Sequence, residues 1–242
     1  MRIGIDVGGT NTDAVLMDGR EVRAWTKRPT TNPVEGGIVD AIRSVLADGV
    51  SPKDIHAVMI GTTHFINAFV EARGLVPVGV IRLASPSGDS LPPRVGWPDA
   101  LASAVQGPSF MLPGGYEFNG SEIAPFDEAA VRNAARRIRD AGVNAVAISS
   151  VFAPIKATME ERAAAIVNEI HPGAHITLSS SIGRIGFLER ENATIMNASL
   201  VVMAESVMQS FRGALKAMDI RAPLFVSQND GTLMTSEYAQ HL

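Results

Sequence analysis

The stretch MRIGIDVGGTNTDAVLMDG at the N-terminus constrains the fold of this chain more than any other. Ile3, Ile5 and Val7 alternate with Gly4 and Asp6, the period-two pattern of a half-buried strand. Gly8 and Gly9 follow at once, then Thr10, Asn11, Thr12 and Asp13, and Ala14 to Met17 forms a second apolar run before the Asp18-Gly19 turn signal. Glu21 to Lys27 reads as a third strand. Strands joined so tightly must be antiparallel, because parallel neighbours need a crossover of about a dozen residues or more.

A glycine pair after a strand lets backbone approach a ligand closely, and its N–H groups can converge on an anion. Thr10, Asn11 and Thr12 add short hydrogen-bonding side chains suited to phosphate oxygens. Asp6 ends the strand where a carboxylate could hold hydrated Mg²⁺, a cation that prefers oxygen ligands and keeps several waters. Neither Gly-x-x-x-x-Gly-Lys-Ser/Thr nor Gly-x-Gly-x-x-Gly is present, and no helix follows the loop. Phosphate held in a β-hairpin turn behind an acid is instead the arrangement of the sugar-kinase, heat-shock and actin type of ATPase. A tight hairpin with a satisfied aspartate is the structural alternative.

Further along, Asn32-Pro33 opens a helix through about Ala47, with Ile38, Ile42, Val45 and Leu46 on one face. Ala57 to Ile60 reads as a buried strand, and the glycine and threonines of GTTHFINAFVEARG as a strand-to-helix loop. Val76 to Leu83 is another strand. Between Ser85 and Gly120 prolines and glycines crowd in, which predicts loops and small strands. Periodicity returns with a helix from about Asp127 to Ala141, the strand VNAVAISSVF, a helix from about Met159 to Glu169 and a strand at His175 to Leu178. One long helix is expected from about Phe187 to Ala217. On it Met196, Leu200, Met203, Val207, Phe211, Leu215 and Met218 form a stripe that core packing explains. The alternation of strands and helices gives a mixed α/β fold.

Lys and Arg total 21 against 25 for Asp and Glu, with no block of like charge, so nothing favours a nucleic-acid or anionic-membrane surface. Cysteine is absent, which rules out disulfides and thiolate chemistry within these residues. No apolar run reaches the roughly 18 residues of a membrane span, and a cytoplasmic location is expected.

GIDVGGTNTDAVLMD resembles the opening of the hydantoinase A and 5-oxoprolinase family, whose members begin with a similar Asp-x-Gly-Gly-Thr-x-Thr-Asp. IGTTHFINAFVEARG resembles the family's Gly-Thr-Thr loop and the helix after it. GVNAVAISSVFAPIKATMEERA, SSSIGRIGFLERENATIMNASL and SQNDGTLM are similar to later family segments, in the same order. Two departures stand out. Position 11 is Asn where many members carry Phe, and members are at least about twice this length.

The resemblance implies an actin-like (ribonuclease H-like) ATPase lobe with a mixed sheet, three antiparallel N-terminal strands and flanking helices, the second lobe being truncated. Residues 1–181 would be the N-terminal ATPase lobe, and 182–242 a long helix and strand beginning the second. It also implies ATP and Mg²⁺ as cofactors, a cyclic amide such as hydantoin or 5-oxoproline as substrate, and a hydantoinase B-type partner subunit. Self-association through surface meant for the missing lobe is a further expectation. Asp6 would organise Mg²⁺ through water, while Gly8, Gly9, Thr10, Asn11 and Thr12 hold the β- and γ-phosphates. Asp13 would support the metal through its waters or neighbouring ligands, or be structural. Gly61, Thr62, Thr63 and His64 would form a loop facing the same cleft, with Asn67 one turn beyond. Helix capping is the alternative for the two threonines, and a structural role the alternative for His64. Asn229 and Asp230 would reach the cleft, or with Gln228 and Gly231 form a plain turn. Glu189, Arg190 and Glu191 read as a solvated charged face. A small-molecule kinase of the same superfamily and a non-catalytic nucleotide-binding subunit are the competing functions.

Overall fold

A computed structural model describes residues 1–31, 34–47, 49–228, 230–236 and 238–240, the last of these by its backbone alone. The helix opening expected at Asn32-Pro33 and the cleft position expected of Asn229 lie outside the described residues. In chain order the elements are β1 (Arg2–Val7), β2 (Asn11–Asp18), β3 (Glu21–Pro29), α1 (Val34–Val45), β4 (Ala57–Thr62), α2 (His64–Glu71), β5 (Val78–Ser85), α3 (Asp99–Ala104), β6 (Gln106–Pro113), α4 (Glu128–Asp140), β7 (Ala145–Ser150), α5 (Thr158–Ile170), β8 (His175–Leu178), α6 (Ser179–Ile182), α7 (Phe187–Ser199), α8 (Val201–Ala217), β9 (Leu224–Ser227) and β10 (Leu233–Thr235). They fall into two compact units, Met1–Glu71 with Met203–His241, and Ala72–Val202. The cuts lie at 71/72 and 202/203. Among the described residues no helix is long and apolar enough to cross a membrane.

The first unit is a mixed sheet in the order β10-β9-β4-β1-β2-β3. β1, β2 and β3 are antiparallel neighbours, as their short turns require, whereas β4 lies parallel to β1 and β9 parallel to β4. The two-residue period of β1 and β2 sorts their side chains. Ile3, Ile5, Val7, Thr12, Ala14 and Leu16 are buried on one face, and Gly4, Asp6, Asp13 and Val15 are not. Ile38 and Ile42 of α1 and Val207, Phe211 and Leu215 of α8 cover the buried face in one apolar cluster. Phe211 is fully enclosed, a burial worth about 1.5–3 kcal/mol. On the opposite face Trp25 stands 76% exposed.

The second unit is an all-parallel sheet in the order β6-β5-β7-β8. Val131, Ala135 and Ile138 of α4 join Met159, Ala163 and Val167 of α5 in one cluster, and Ile195 and Ala198 of α7 pack with Val78, Val80, Ala145 and Ala147 in another. Covered on both sides, β7 is buried at every position, which is why it reads as an unbroken apolar run. Asp127 caps α4, accepting the Ala130 N–H at 2.9 Å.

Three expectations need correction. The Pro/Gly-rich stretch after Ser85 contains an eight-residue strand, β6, at the sheet edge, where Pro108 and Pro113 are tolerated because an edge strand has unpaired positions. The expected long helix is two, α7 and α8, interrupted at Leu200. α7 buries Glu191, Thr194, Ile195, Ala198 and Ser199 in the second unit, so the methionine stripe is not one continuous core face.

The charged triplet at the start of α7 is not a solvated face either: Glu189 is exposed, but Arg190 and Glu191 are buried. Arg190 donates from Nε to Ser179 Oγ at 2.9 Å and from Nη2 to the Ser150 carbonyl at 2.5 Å. Ser179 in turn donates to Glu160 Oε1 at 2.5 Å, and Glu160 Oε2 accepts the Ser180 N–H at 2.9 Å. Burial pushes the Glu160 carboxyl above the usual glutamate range despite these bonds, and burial pulls the Arg190 guanidinium below its ordinary value. A carboxyl raised in the folded state contributes stability that is complete below its unfolded pKa and is lost as pH rises through the folded value. Glu160→Gln should therefore flatten the fall in stability across that acidic window. Denaturation midpoints of both proteins over the same pH series measure it, and parallel curves would refute the assignment.

Candidate functional site

The site is built where β1, β4 and β9 end side by side. β1 leads from Val7 into Gly8-Gly9-Thr10, and the loop is shaped by removing its carbonyls from the surface. The Gly8 N–H donates to the Asn11 carbonyl at 2.9 Å, which closes the turn. The Thr30 hydroxyl donates to the Gly8 carbonyl at 2.8 Å, and the Thr30 N–H to the Thr10 carbonyl at 2.9 Å. From the β4 side Thr62 Oγ1 donates to the Val7 carbonyl at 3.0 Å. The Gly9 and Thr10 amides, on exposed residues, make no backbone hydrogen bond among the described residues. Donors left free while neighbouring carbonyls are tied back form a concavity of positive potential. A Cβ on Gly8 would stand 3.1 Å from the Asn11 carbonyl, closer than side chains comfortably pack, so the turn selects glycine there.

Asp6 and Asp13 are direct cross-strand partners. Both line a concavity of about 540 Å³ on the open face, with Gly4, Trp25, Met59, Gly61 and Ser227 among its other walls. Carboxylates facing each other across antiparallel strands repel. Lys27 stands 3.5 Å from Asp13 and offsets part of this charge, while Asp6 has no ion-pair or hydrogen-bond partner among the described residues. Gly61 lies opposite Asp6 on β4, and a Cβ there would sit 3.2 Å from Ser227 Oγ and 3.5 Å from Asp6 Oδ1. Two carboxylates and a hydroxyl are an all-oxygen donor set that suits Mg²⁺. Among the described residues no three His, Asp or Glu side chains surround a common point. A cation beside Asp6 would be completed by phosphate and water.

The sequence-predicted residues divide accordingly. Gly8, Gly9, Thr10 and Asn11 form the turn, and Asp6 and Asp13 stand beside it on the open face. Thr12 is turned inward, fully buried, with its hydroxyl 3.2 Å from that of Thr30, so its side chain braces the loop from behind. Gly61 and Thr62 are the last residues of β4 rather than a loop, and His64 is the first residue of α2, leaving Thr63 alone between them. Asn67 donates its backbone N–H to the Thr63 carbonyl at 2.9 Å, and its Nδ2 lies 3.7 Å from where a Cβ of Gly9 would be. Asp230 accepts the N–H and hydroxyl of Thr232 at 2.9 and 2.7 Å in the turn between β9 and β10, which holds its carboxyl below the usual aspartate range. Of the other histidines, His171 bonds the Val143 carbonyl through Nε2 at 3.1 Å.

The sequence pattern alone does not single out Ser227. Its position depends on β9 pairing in parallel with β4, a contact between distant parts of the chain. The signal available was the polar residue ending the apolar run LFV, in the position Asp6 takes on β1.

The model of the hydantoinase/oxoprolinase N-terminal region matches residues 2–171. The alpha subunit of caprolactamase from Pseudomonas jessenii is 31% identical over 253 residues, covering 96% of this chain and 36% of that subunit. The gamma subunit of acetophenone carboxylase from Aromatoleum aromaticum is 25% identical over 259 residues, covering 95% of this chain and 35% of the relative. The crystal structure of the ATP-dependent caprolactamase from P. jessenii superposes with a TM-score of 0.80 at 26% identity, over 98% of this chain and 36% of that one. Nucleotide-free acetone carboxylase superposes with a TM-score of 0.79 at 19% identity, over 99% of this chain and 37% of the other, a likeness of fold. The chain thus spans little more than a third of the length of these proteins.

Proposed function

The chain belongs to the hydantoinase/oxoprolinase family, and from that premise we propose that it carries the phosphate loop of an ATP-dependent enzyme that opens a cyclic amide. Hydantoins and 5-oxoproline are the substrate class, a B-type subunit is the partner, and the cytoplasm is the location. The fold, an actin-like α/β lobe with three antiparallel strands at its start, is that of its structural neighbours. The observation that carries the reading is the Gly8-Gly9-Thr10 turn, whose flanking carbonyls are tied back while the Gly9 and Thr10 amides stay free beside Asp6. ATP-dependent relatives of similar sequence support the use of ATP.

ATP would supply the phosphoryl group that activates the oxygen of a poorly electrophilic amide; water adding to the ring carbon would expel the ring nitrogen, and a second water would hydrolyse the resulting acyl phosphate to the carboxylate and free phosphate. The chain's residues position that chemistry. The Gly9 and Thr10 amides and the Thr10 and Asn11 side chains hold phosphate oxygens, and Asp6 holds the hydrated Mg²⁺ that accompanies them. Asp13 adds negative charge across from Asp6, and Ser227 offers a hydroxyl on its other side. Catalysis here is orientation and charge neutralisation rather than covalent chemistry by the protein.

The enzyme with its partner subunit should hydrolyse ATP faster when hydantoin or 5-oxoproline is added, with phosphate and the opened ring as products. A stable phosphorylated product would make it a kinase, and no stimulation by any cyclic amide would refute the substrate class. Gly61→Ala tests the geometry separately. Its methyl group would stand against Ser227 Oγ and Asp6 Oδ1, so ATP turnover should fall about tenfold or more through misplacement of the carboxylate, with a nearly unchanged denaturation midpoint. An unaffected rate would remove Gly61 from the site.

A further inference from the structure

Beneath the phosphate loop lies a hydrogen-bond triangle. The Val7 carbonyl oxygen is 3.0 Å from Thr62 Oγ1 and 3.2 Å from His64 Nδ1, and those two atoms are 2.9 Å apart. Thr62 Oγ1 also accepts the His64 backbone N–H at 3.2 Å. A carbonyl oxygen only accepts, so each short contact to it requires a proton on the other atom. The single hydroxyl proton of Thr62 serves one contact. The other is attractive only with a proton on Nδ1. Were the ring proton on Nε2, the Nδ1 lone pair would face the carbonyl, and the Thr62 hydroxyl could satisfy the carbonyl or the ring but not both.

We infer that His64 is a positioning residue, held as the Nδ1–H tautomer, which together with Thr62 clamps the Val7 carbonyl and so fixes the start of the Gly8-Gly9 loop. Neutral imidazole carries one N–H, and here the protein decides which nitrogen has it. The clamp has a counterpart on the β3 side, where the Thr30 hydroxyl takes the next carbonyl, that of Gly8. Two successive peptide planes, Val7–Gly8 and Gly8–Gly9, are thereby anchored from opposite flanks, which leaves the Gly9 amide with one orientation. His64 acts through Val7 and touches no reacting atom. The tautomer stands on geometry alone, whereas its consequence for nucleotide use rests on the ATP reading.

Two measurements separate these. In long-range ¹H–¹⁵N spectra of the ¹⁵N-histidine-labelled 242-residue chain, the His64 ring, identified by its disappearance in His64→Asn, should show protonated Nδ1 and bare Nε2. An Nε2–H ring would overturn the inference whatever the loop binds. In the enzyme with its partner, His64→Ala and His64→Gln should raise the KM for ATP about tenfold with little change in kcat. His64→Asn, whose amide N–H stands close to the position of Nδ1–H, should restore most of that loss. Rescue by Gln and not by Asn would make Nε2 the working nitrogen and refute the clamp. An enzyme that does not use ATP at all would refute the ATP reading, and the spectrum would still decide the tautomer.

Discussion

Asp6→Asn should cost on the order of a hundred- to a thousandfold in ATP turnover, the range seen when one preorganised charge-stabilising group is removed from an active site, and should nevertheless leave the fold slightly more stable. The two effects have one cause. Asp6 is an exposed carboxylate without a partner among the described residues, and it faces Asp13 directly across the β1–β2 ladder. Nothing in the folding of the sheet needs that pair, since like charges in this register oppose it by up to about 1 kcal/mol. Removing one charge relieves the repulsion, because Lys27 already accompanies Asp13. A residue that costs stability beside free backbone donors is what the proposed phosphate site requires. Phosphate release by the enzyme with its partner and denaturation midpoints of the variant measure the two halves. Full activity would remove Asp6 from the mechanism, and a large loss of stability would make it a structural residue.

What could be read from the sequence depended on the range of the interaction that fixed each element. β1, β2, their turn and β3 are fixed by neighbours a few residues away, so alternation and turn chemistry were enough to find them. β8 at His175–Leu178 was legible from its own alternation, although its partner β7 lies 30 residues earlier, Ala145 opposite His175. β6 was hidden because Gly107, Pro108 and Pro113 look like loop, and only its place at the edge of a parallel sheet makes them acceptable. The break at Leu200 was hidden because helical periodicity runs through it; which unit each half packs into is decided by contacts far away in sequence. In the site, the Gly8-Gly9 loop announced itself, but Thr12 turning inward to Thr30 and Ser227 arriving beside Gly61 are products of strand register. His64 stood out as a candidate, with a structural role as the alternative. The clamp proposed for it depends on the Val7 carbonyl, 57 residues earlier in the chain.

The buried charges of the second unit show the same limit and carry the largest expected effect on stability. Arg82 and Glu191 are each 1% exposed. The Arg82 guanidinium donates from Nε to Glu191 Oε1 at 2.8 Å and from Nη2 to Oε2, a two-pronged ion pair, and Ser149 Oγ donates to the same Oε1 at 2.7 Å. Its Nη1 bonds the Gly88 carbonyl at 3.0 Å and the Leu91 carbonyl, and the Phe187 ring lies 5.3 Å from the guanidinium carbon. One side chain from β5 thus holds α7, β7 and the loop after β5. Arg82→Ala leaves a buried carboxylate with Ser149 as its hydrogen-bond partner and only the more distant charges of Arg94 and Arg190, and breaking a buried pair in this way costs about 3–5 kcal/mol. The attraction itself is largely offset by the cost of burying both ions, so the double variant Arg82→Met with Glu191→Leu should regain much of what either single change loses. Denaturant titration of the three variants supplies the cycle. The 86–91 loop should also become sensitive to proteases in every variant lacking Arg82, because its two carbonyl anchors are gone even where the core has been restored. A single variant that loses less than about 1 kcal/mol, or a double variant no better than the singles, would mean that the pair is bound by something other than mutual charge compensation.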